Sequence, residues 1–126
     1  MLNNVAQLLG RVLMSAIFIQ GGINKAMSSQ ATIAGFAKYP MLPNPGLAYA
    51  VTLVVEIGGG IAVLVGWKTR WAALTLAVWC IATALVMHYH PGDKGQMIHF
   101  MKNVCMAGGF LQLFVLGAGR FSFDRR

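Results

Sequence analysis

One carboxylate lies in the middle of a long apolar stretch, and its position is the clearest chemical signal in this sequence. Glu56 interrupts the apolar residues 47–66, whereas the other acidic residues, Asp93 and Asp124, fall in a loop and in the C-terminal tail. An ionised side chain at membrane depth is costly unless it is paired or faces a polar cavity. We therefore expect a compensating partner for Glu56, which is the one candidate for chemistry that needs a buried carboxylate.

Three cations within or beside the apolar segments are candidate partners for this carboxylate: Arg11, Lys25 and Lys102. With about 1.5 Å of rise per helical residue, Arg11 lies about 9 Å below one membrane face. Glu56 lies about 13–14 Å below the other face, close to the midplane of a hydrocarbon core of roughly 30 Å. The two side chains then differ in height by about 6–8 Å, a gap that an extended arginine spans. The sequence therefore predicts an Arg11–Glu56 ion pair.

Other polar residues fall at the ends of the apolar segments, on the side of the membrane away from the chain termini. His88 ends the third segment, Gln96 precedes the fourth, and Asn103 is next to Lys102. We expect these residues to surround an outward-facing polar pocket with Glu56 at its floor. The candidate pocket residues are Arg11, Lys25, Glu56, His88, Gln96, Lys102 and Asn103.

Each of these residues also has a purely structural interpretation. Lys25 and Lys102 can extend along their helices so that the ammonium reaches the membrane surface. His88 can be an ordinary polar residue at the interface or a proton carrier. An Arg11–Glu56 pair can serve only to fix helix register. The sequence leaves these alternatives open.

The elements that position these side chains follow from the composition. Of the 126 residues, 57% are hydrophobic and only 10% are charged, and the mean hydropathy is +0.64. Soluble domains usually carry about 25% charged residues. Four segments, at about 5–24, 47–67, 71–88 and 98–116, approach the roughly 20 apolar residues that a membrane-spanning helix needs. None of them alternates polar and apolar residues, which disfavours a membrane β-barrel.

The connections predict a single domain over residues 1–126, an all-α integral membrane bundle of four antiparallel helices. Lys68-Thr69-Arg70 joins the second and third helices so tightly that they are antiparallel neighbours. Basic residues in this turn and in the C-terminal tail favour an inner-membrane protein with both termini in the cytoplasm. These loop and tail cations account for much of the net charge of +7, and the short loops leave no room for a nucleic-acid-binding module.

The longest connection, residues 25–46, contains prolines at positions 40, 43 and 45. Residues 40–45 are predicted to be non-helical, because proline removes a donor and restricts the residue before it. Residues 32–39 are predicted to form a short interfacial helix. The glycines Gly58-Gly59-Gly60 directly follow the buried acid. They indicate either close helix packing or a local opening of the helix backbone.

The cysteines and histidines carry weaker signals. Cys80 and Cys105 lack the CxxC spacing of a redox pair and are predicted to be small apolar core residues. His88, His90 and His99 lie at or near one loop, and the first two are spaced so that they do not share a helix face. The sequence therefore predicts no bound metal or haem.

Seven short motifs occur in order along nearly the whole chain. They are Arg11-Val12-Leu13, Gly21-Gly22-Ile23-Asn24-Lys25, Val55-Glu56-Ile57-Gly58-Gly59, Gly66-Trp67-Lys68-Thr69-Arg70, His88, Phe100-Met101-Lys102-Asn103 and Leu116-Gly117-Ala118-Gly119-Arg120. As an ordered set, they resemble the DoxX family of small four-helix membrane proteins. The resemblance assigns no catalytic roles. It places the family's polar motif positions at Arg11, Lys25, Glu56, Arg70, His88, Lys102 and Asn103.

The resemblance implies a link to membrane redox chemistry. The family's name derives from a subunit of a thiosulfate:quinone oxidoreductase, and related members are associated with redox complexes and with thiol or sulfur stress. We therefore expect a membrane subunit of a quinone- or sulfur-linked redox system, or a protein associated with one. Its candidate partners are redox-enzyme subunits, further copies of the chain and the lipid bilayer, and a quinone is one candidate cofactor.

Two alternatives belong to other functional classes. One is a structural or assembly subunit without chemistry, and the other is a small proton-coupled transporter that uses Glu56. Whether the chain is an enzyme in its own right is left open, because it has no obvious cofactor motif.

Overall fold

The computed structural model describes residues 1–125, and this part of the chain is helical without any strand. Four helices are long and apolar enough to cross a membrane: α1 (Leu2–Met27), α3 (Pro45–Val65), α4 (Thr69–His88) and α5 (Lys94–Leu116). A fifth, shorter helix, α2 (Ser29–Phe36), follows α1 directly. The predicted all-α architecture with four membrane-spanning helices is confirmed. The cytoplasmic location of the termini stays a prediction.

All four membrane-spanning helices begin a few residues earlier than the sequence predicted, and in two of them a polar side chain at the preceding residue caps the start. Asn44 accepts a hydrogen bond from the backbone N–H of Leu47 (3.1 Å), so that α3 begins at Pro45. Proline is favoured at the first helical position, where its missing N–H costs nothing, so the prediction of a non-helical Pro45 was wrong. Asp93 caps α5 in the same way through the N–H of Gln96 (3.2 Å).

The bundle has two distinct ends. The connection with α2, residues 28–44, and the turn at residues 89–93 lie at one end, called here the loop end. The N-terminus, the turn at residues 66–68 and the C-terminal tail lie at the other, called here the tail end. This arrangement follows from four antiparallel helices joined in chain order.

Glycines bring the helices together towards the tail end. A Cβ added at Gly60 would lie 2.9 Å from Cγ1 of Ile19, so α1 and α3 are in close contact there. A Cβ at Gly59 would lie 3.1 Å from Cδ2 of Leu76, where α3 meets α4. Both glycines therefore have the packing role that the sequence left as one alternative.

The second alternative, an opening of the helix backbone that frees carbonyls, stays untested, although the helix departs from α geometry just before these glycines. Residues Val54–Gly58 form a π-helical turn within α3, and Glu56 lies at its centre. A second π-helical turn, Ala84–His88, ends α4. Such turns widen a helix locally and are frequent at functional sites.

The helices form two close pairs, α1 with α3 and α4 with α5. The pairs approach each other where the second half of α3 packs on α4, whereas the first half, Pro45–Leu53, has no comparable backbone contact with α4. The backbones of α1 and α5 also stay apart, and their side chains meet instead through the edge-to-face rings of Phe18 and Phe110 (5.5 Å between centroids). The two pairs therefore separate towards the loop end.

The packed core is small and apolar, and it lies mainly between α4, α5 and the second half of α3. Its buried members are Phe18, Val63, Ala73, Leu76, Ala77, Cys80, Ala107 and Phe110. Cys80 is buried as predicted, but Cys105 is exposed on the surface of α5, so the prediction of a core position for Cys105 was wrong.

The C-terminal tail folds back onto the turn between α3 and α4. The backbone N–H groups of Phe123 and Asp124 donate to the carbonyls of Val65 (3.1 Å) and Gly66 (2.8 Å). The carboxylate of Asp124 accepts from the N–H groups of Lys68 (2.9 Å) and Thr69 (2.7 Å) at the start of α4. The first N–H groups of a helix have no partner within it, so Asp124 supplies a cap that is distant in sequence.

Candidate functional site

Glu56 is held by two side chains from neighbouring helices. Its Oε1 atom lies 2.7 Å from Nζ of Lys25 on α1, and its Oε2 accepts a hydrogen bond from the indole N–H of Trp79 on α4 (3.1 Å). Glu56 is only 7% exposed, so this carboxylate is buried, paired and hydrogen-bonded. The requirement for compensation was therefore predicted correctly, but its source is Lys25.

Arg11 does not pair with Glu56, and the predicted Arg11–Glu56 bridge is wrong. Its Nη1 donates to the carbonyls of Val63 (3.2 Å) and Leu64 (2.7 Å) in the last turn of α3, and Nη2 donates to the carbonyl of Phe121 in the tail. The last carbonyls of a helix have no partner within it and attract positive charge. Arg11 therefore caps α3 and fastens the tail, at the opposite end of the bundle from the predicted pocket.

A cavity of about 650 Å³ occupies the space between the two helix pairs towards the loop end. Cavities that hold drug-sized molecules are typically about 300–1,000 Å³. Glu56 lines this cavity, and Phe36 at the end of α2 and Leu42 in the following loop contribute to its wall. Its polar side chains are Lys25, Asn44, Thr52, Glu56, Trp79, Thr83, His88 and Asn103, and its other lining residues are apolar or glycine.

A second polar contact continues from Trp79 towards α5. The side-chain amide of Asn103 donates to the hydroxyl of Thr83 (3.1 Å), and that hydroxyl donates to the carbonyl of Trp79 (2.9 Å). Lys25, Glu56, Trp79, Thr83 and Asn103 thus form a belt of polar contacts from α1 to α5 along one cavity wall. Since all five residues line the cavity, the belt offers polar atoms to a bound molecule.

His88 lies at the loop end of the cavity wall. Its Nδ1 is 2.9 Å from Oε1 of Gln96, and its ring centroid is 5.4 Å from that of His99. Gln96 does not line the cavity itself and acts by orienting the imidazole. Among residues 1–125, no group of histidine, cysteine, aspartate or glutamate side chains is placed to hold a metal ion.

The structure brings together four of the seven candidate residues of the sequence analysis. Lys25, Glu56, His88 and Asn103 line the cavity, and Gln96 contacts it through His88. The other two lie elsewhere: Arg11 is buried at the tail end, and Lys102 is exposed on α5 outside the cavity. Their roles as pocket residues are not supported by their positions.

Sequence reasoning missed Trp79 and Thr83. Both lie in the third apolar segment. An uncharged indole or hydroxyl in such a segment is a weaker sign of a polar site than a charged side chain. Their spacing of four residues was nevertheless a usable signal, because residues at i and i+4 share one face of a helix. Two hydrogen-bonding side chains on one face of a membrane helix point to a polar contact inside the bundle.

Comparison with known proteins agrees with the sequence motifs. The family model described as DoxX matches residues 6–89, which contain Lys25, Glu56, Trp79, Thr83 and His88. The inner membrane protein YqjF of Escherichia coli (strain K12) is 35% identical over 98% of this chain and 93% of its own length. The inner membrane protein YphA of the same organism is 34% identical over 97% of this chain and 90% of its own length.

No solved structure shows a significant match to the chain. The family model nevertheless covers α1 to the end of α4, and both relatives align over nearly the full length. Both relatives are inner membrane proteins, in agreement with the four membrane-spanning helices found here. The chain is therefore an integral membrane protein that belongs to the DoxX family.

Proposed function

We propose that this chain is the ligand-binding membrane subunit of a redox system in the inner membrane, and that its cavity holds the head group of a quinone. The observation that carries the proposal is the Lys25–Glu56–Trp79 cluster in the wall of an otherwise apolar cavity of about 650 Å³. A buried carboxylate beside a cation, in a cleft large enough for a small molecule, is a typical ligand site.

The donors in the wall suit the carbonyl oxygens of a quinone. The ammonium of Lys25 carries three N–H donors, of which one binds Glu56, and the amide of Asn103 carries two, of which one binds Thr83. The remaining donors can reach ligand oxygens. Reduction of a quinone takes up protons with the electrons, and the Glu56 carboxylate can relay a proton while a partner enzyme supplies the electrons.

The same wall is poorly suited to a sulfur oxyanion. The charge of Lys25 is already balanced by Glu56, and the carboxylate itself repels an anion. Most of the remaining lining is aliphatic or aromatic, so a hydrated oxyanion would lose water without gaining enough donors. The cavity therefore favours the quinone over the sulfur-anion branch of the redox hypothesis.

A calorimetric titration tests this proposal. The purified chain is first freed of retained quinone by extensive washing in detergent and returned to nanodiscs. It is then titrated with a quinone that has a short alkyl tail, alongside Glu56→Gln and the control Lys102→Gln, whose exposed side chain lies outside the cavity. We expect saturable binding that weakens at least tenfold, or about 1.4 kcal/mol, in Glu56→Gln and stays within twofold in the control. Absence of saturable binding to the native chain would contradict the proposal.

A structural role is the second candidate, and one observation favours it. The Lys25–Glu56–Trp79 contacts join α1, α3 and α4, so they stabilise the bundle even when the cavity is empty. The double variant Lys25→Glu with Glu56→Lys separates the two functions. A structural role predicts that the swapped pair restores both folding and function, whereas the ligand-binding role predicts a folded protein that binds no quinone.

A further inference from the structure

The cavity wall is most open between α3 and α4, where three of its lining residues are exposed, whereas on the α1–α5 side only Ile17 is (51%). Leu47 and Val51 of α3 line the cavity although they are 61% and 43% exposed. Ala82, which lines the cavity from α4, is also exposed. Residues that both line a cavity and reach the outer surface mark an opening. We call this opening the α3–α4 cleft, defined by Leu47, Val51 and Ala82.

The cleft follows from the way the helices separate. Gly59 and Leu76 hold α3 and α4 together towards the tail end, whereas residues Pro45–Leu53 have no comparable backbone contact with α4. The π-helical turn Val54–Gly58 lies at the point where the two helices begin to diverge. The opening is therefore part of the backbone geometry and does not depend on one side chain.

The cleft lies within two membrane-spanning helices, so it faces lipid. Its defining side chains are aliphatic, and they belong to the spans Pro45–Val65 and Thr69–His88. Residues 36–44 cover part of the loop end of the cavity, and among them Phe36 is buried and lines the cavity, whereas Pro43 and Asn44 line it and are exposed. An aliphatic opening towards hydrocarbon admits apolar groups without a desolvation cost, whereas a charged solute gains nothing there.

We propose that the ligand reaches the cavity sideways from the bilayer, through the α3–α4 cleft. This inference rests on the proposed function, because it names the class of molecule that the cavity takes. That class is a long-tailed amphiphile, with its polar head at Glu56 and Lys25 and its apolar tail in the cleft. Two membrane molecules share this chemistry, an isoprenoid quinone and an acyl lipid.

Fluorescence quenching by brominated lipid tests the route. The chain contains three tryptophans, and Trp67→Phe with Trp71→Phe leaves Trp79 in the cavity wall as the sole reporter. Nanodiscs are made with phosphatidylcholine brominated in mid-chain or with its unbrominated form. Two further variants are compared in this background: Ala82→Phe, which fills the cleft, and Val78→Phe as the matched control.

The control adds the same ring one helical turn away. Val78 is 62% exposed and does not line the cavity. We expect brominated lipid to quench Trp79, and this quenching to fall at least twofold in Ala82→Phe but to be unchanged in Val78→Phe. Equal quenching in all three proteins would overturn the lateral route, as would stronger quenching by aqueous iodide than by brominated lipid. If Ala82→Phe does not fold, the smaller Ala82→Leu gives the same comparison.

The outcomes separate this inference from the proposed function. Quenching that depends on Ala82, together with retained acyl lipid and no quinone by mass spectrometry, supports the lateral route and contradicts the quinone. Retained quinone with quenching that does not depend on Ala82 supports the quinone site and overturns the lateral route. Retained quinone with quenching that depends on Ala82 supports both.

Discussion

Among residues 1–125 two charged side chains are buried, Arg11 and Glu56, and their surroundings differ. Arg11 is 1% exposed, bonds to backbone carbonyls of α3 and the tail, and does not line the cavity between the helix pairs. Glu56 bonds to the side chains of Lys25 and Trp79 and lines the large cavity between the helix pairs. Burial of a charge in a membrane helix therefore does not identify a functional site by itself; the space beside the charge does.

Arg11 and Glu56 therefore have different roles. Arg11 satisfies helix-end carbonyls that would otherwise lack a partner in a medium without water. Glu56 is compensated by side chains that can move, and it keeps one face towards a space that a ligand can occupy. Substitutions at Arg11 should therefore act on folding, whereas those at Glu56 should act on binding.

The largest expected effect is the loss of stability in Arg11→Leu. Removal of the guanidinium leaves the carbonyls of Val63, Leu64 and Phe121 without their donor. Since hydrogen bonds to charged groups contribute about 1.5–3 kcal/mol each, we expect a loss of about 3 kcal/mol or more. Thermal unfolding in detergent measures it, with Arg11→Lys as an intermediate control. A stable Arg11→Leu protein that has lost quinone binding would reverse the comparison.

A smaller loss is expected for Lys25→Met, which leaves Glu56 with Trp79 as its remaining partner. Breaking a fully buried ion pair costs about 3–5 kcal/mol, but the side chain of Lys25 is 34% exposed, so solvent reduces the effect. We expect a loss of about 1–2 kcal/mol in the same unfolding measurement. Lys25→Met combined with Glu56→Gln should recover much of this stability, and failure of the double variant to do so would argue against a pairwise role.

Loss of the cap that the C-terminal tail provides should reduce stability less than loss of Arg11. Asp124→Ala removes the cap from the N–H groups of Lys68 and Thr69. Loss of a helix cap typically costs about 1 kcal/mol, and we expect that effect on unfolding with quinone affinity unchanged. Asp124→Asn, which keeps an acceptor oxygen, should lose less. A change in affinity in Asp124→Ala would show that the two ends of the bundle are coupled.

The smallest effect on stability is expected for Trp79→Phe. This variant keeps an aromatic ring against the cavity and removes the hydrogen bond to Oε2 of Glu56. A hydrogen bond typically contributes about 0.5–1.5 kcal/mol, and we expect a loss of about 1 kcal/mol in quinone binding with little change in unfolding. A larger loss of stability than of binding would place Trp79 with Arg11 among the structural residues.

The sequence predicted the helices more successfully than the contacts between them. Hydropathy alone located the four spans, because each needs a long apolar stretch. The partner of Glu56 was predicted from depth along each helix, which assumes how far α1 and α3 are shifted along each other. In the structure, Gly21 lies beside the carboxylate, near Lys25 and far from Arg11. Arg11 and Lys25 lie on the same face of α1, and only the packing of α1 on α3 decides which of them reaches the carboxylate.

Most of the remaining differences between prediction and structure also arise from contacts between segments that are far apart in sequence. The fold-back of residues 117–125 depends on contacts with the turn at residues 66–69, which lie far away in sequence. The cavity and its cleft depend on where glycines allow close contact and where the helices separate. The short helix predicted at residues 32–39 is present but spans Ser29–Phe36, because the chain continues from α1 almost without interruption. Its interfacial location stays a prediction.

The central claim is that the cavity beside Glu56 is a quinone site, and the quinone content of the purified protein tests it most directly. The native chain and Glu56→Gln are purified from their membranes in mild detergent, and the isoprenoid quinone retained per chain is measured by mass spectrometry. We expect the native protein to retain close to one quinone per chain and Glu56→Gln to retain at least tenfold less. If both proteins retain only background amounts of quinone, the claim is contradicted. The Lys25–Glu56–Trp79 cluster would then have only the structural role of joining α1, α3 and α4.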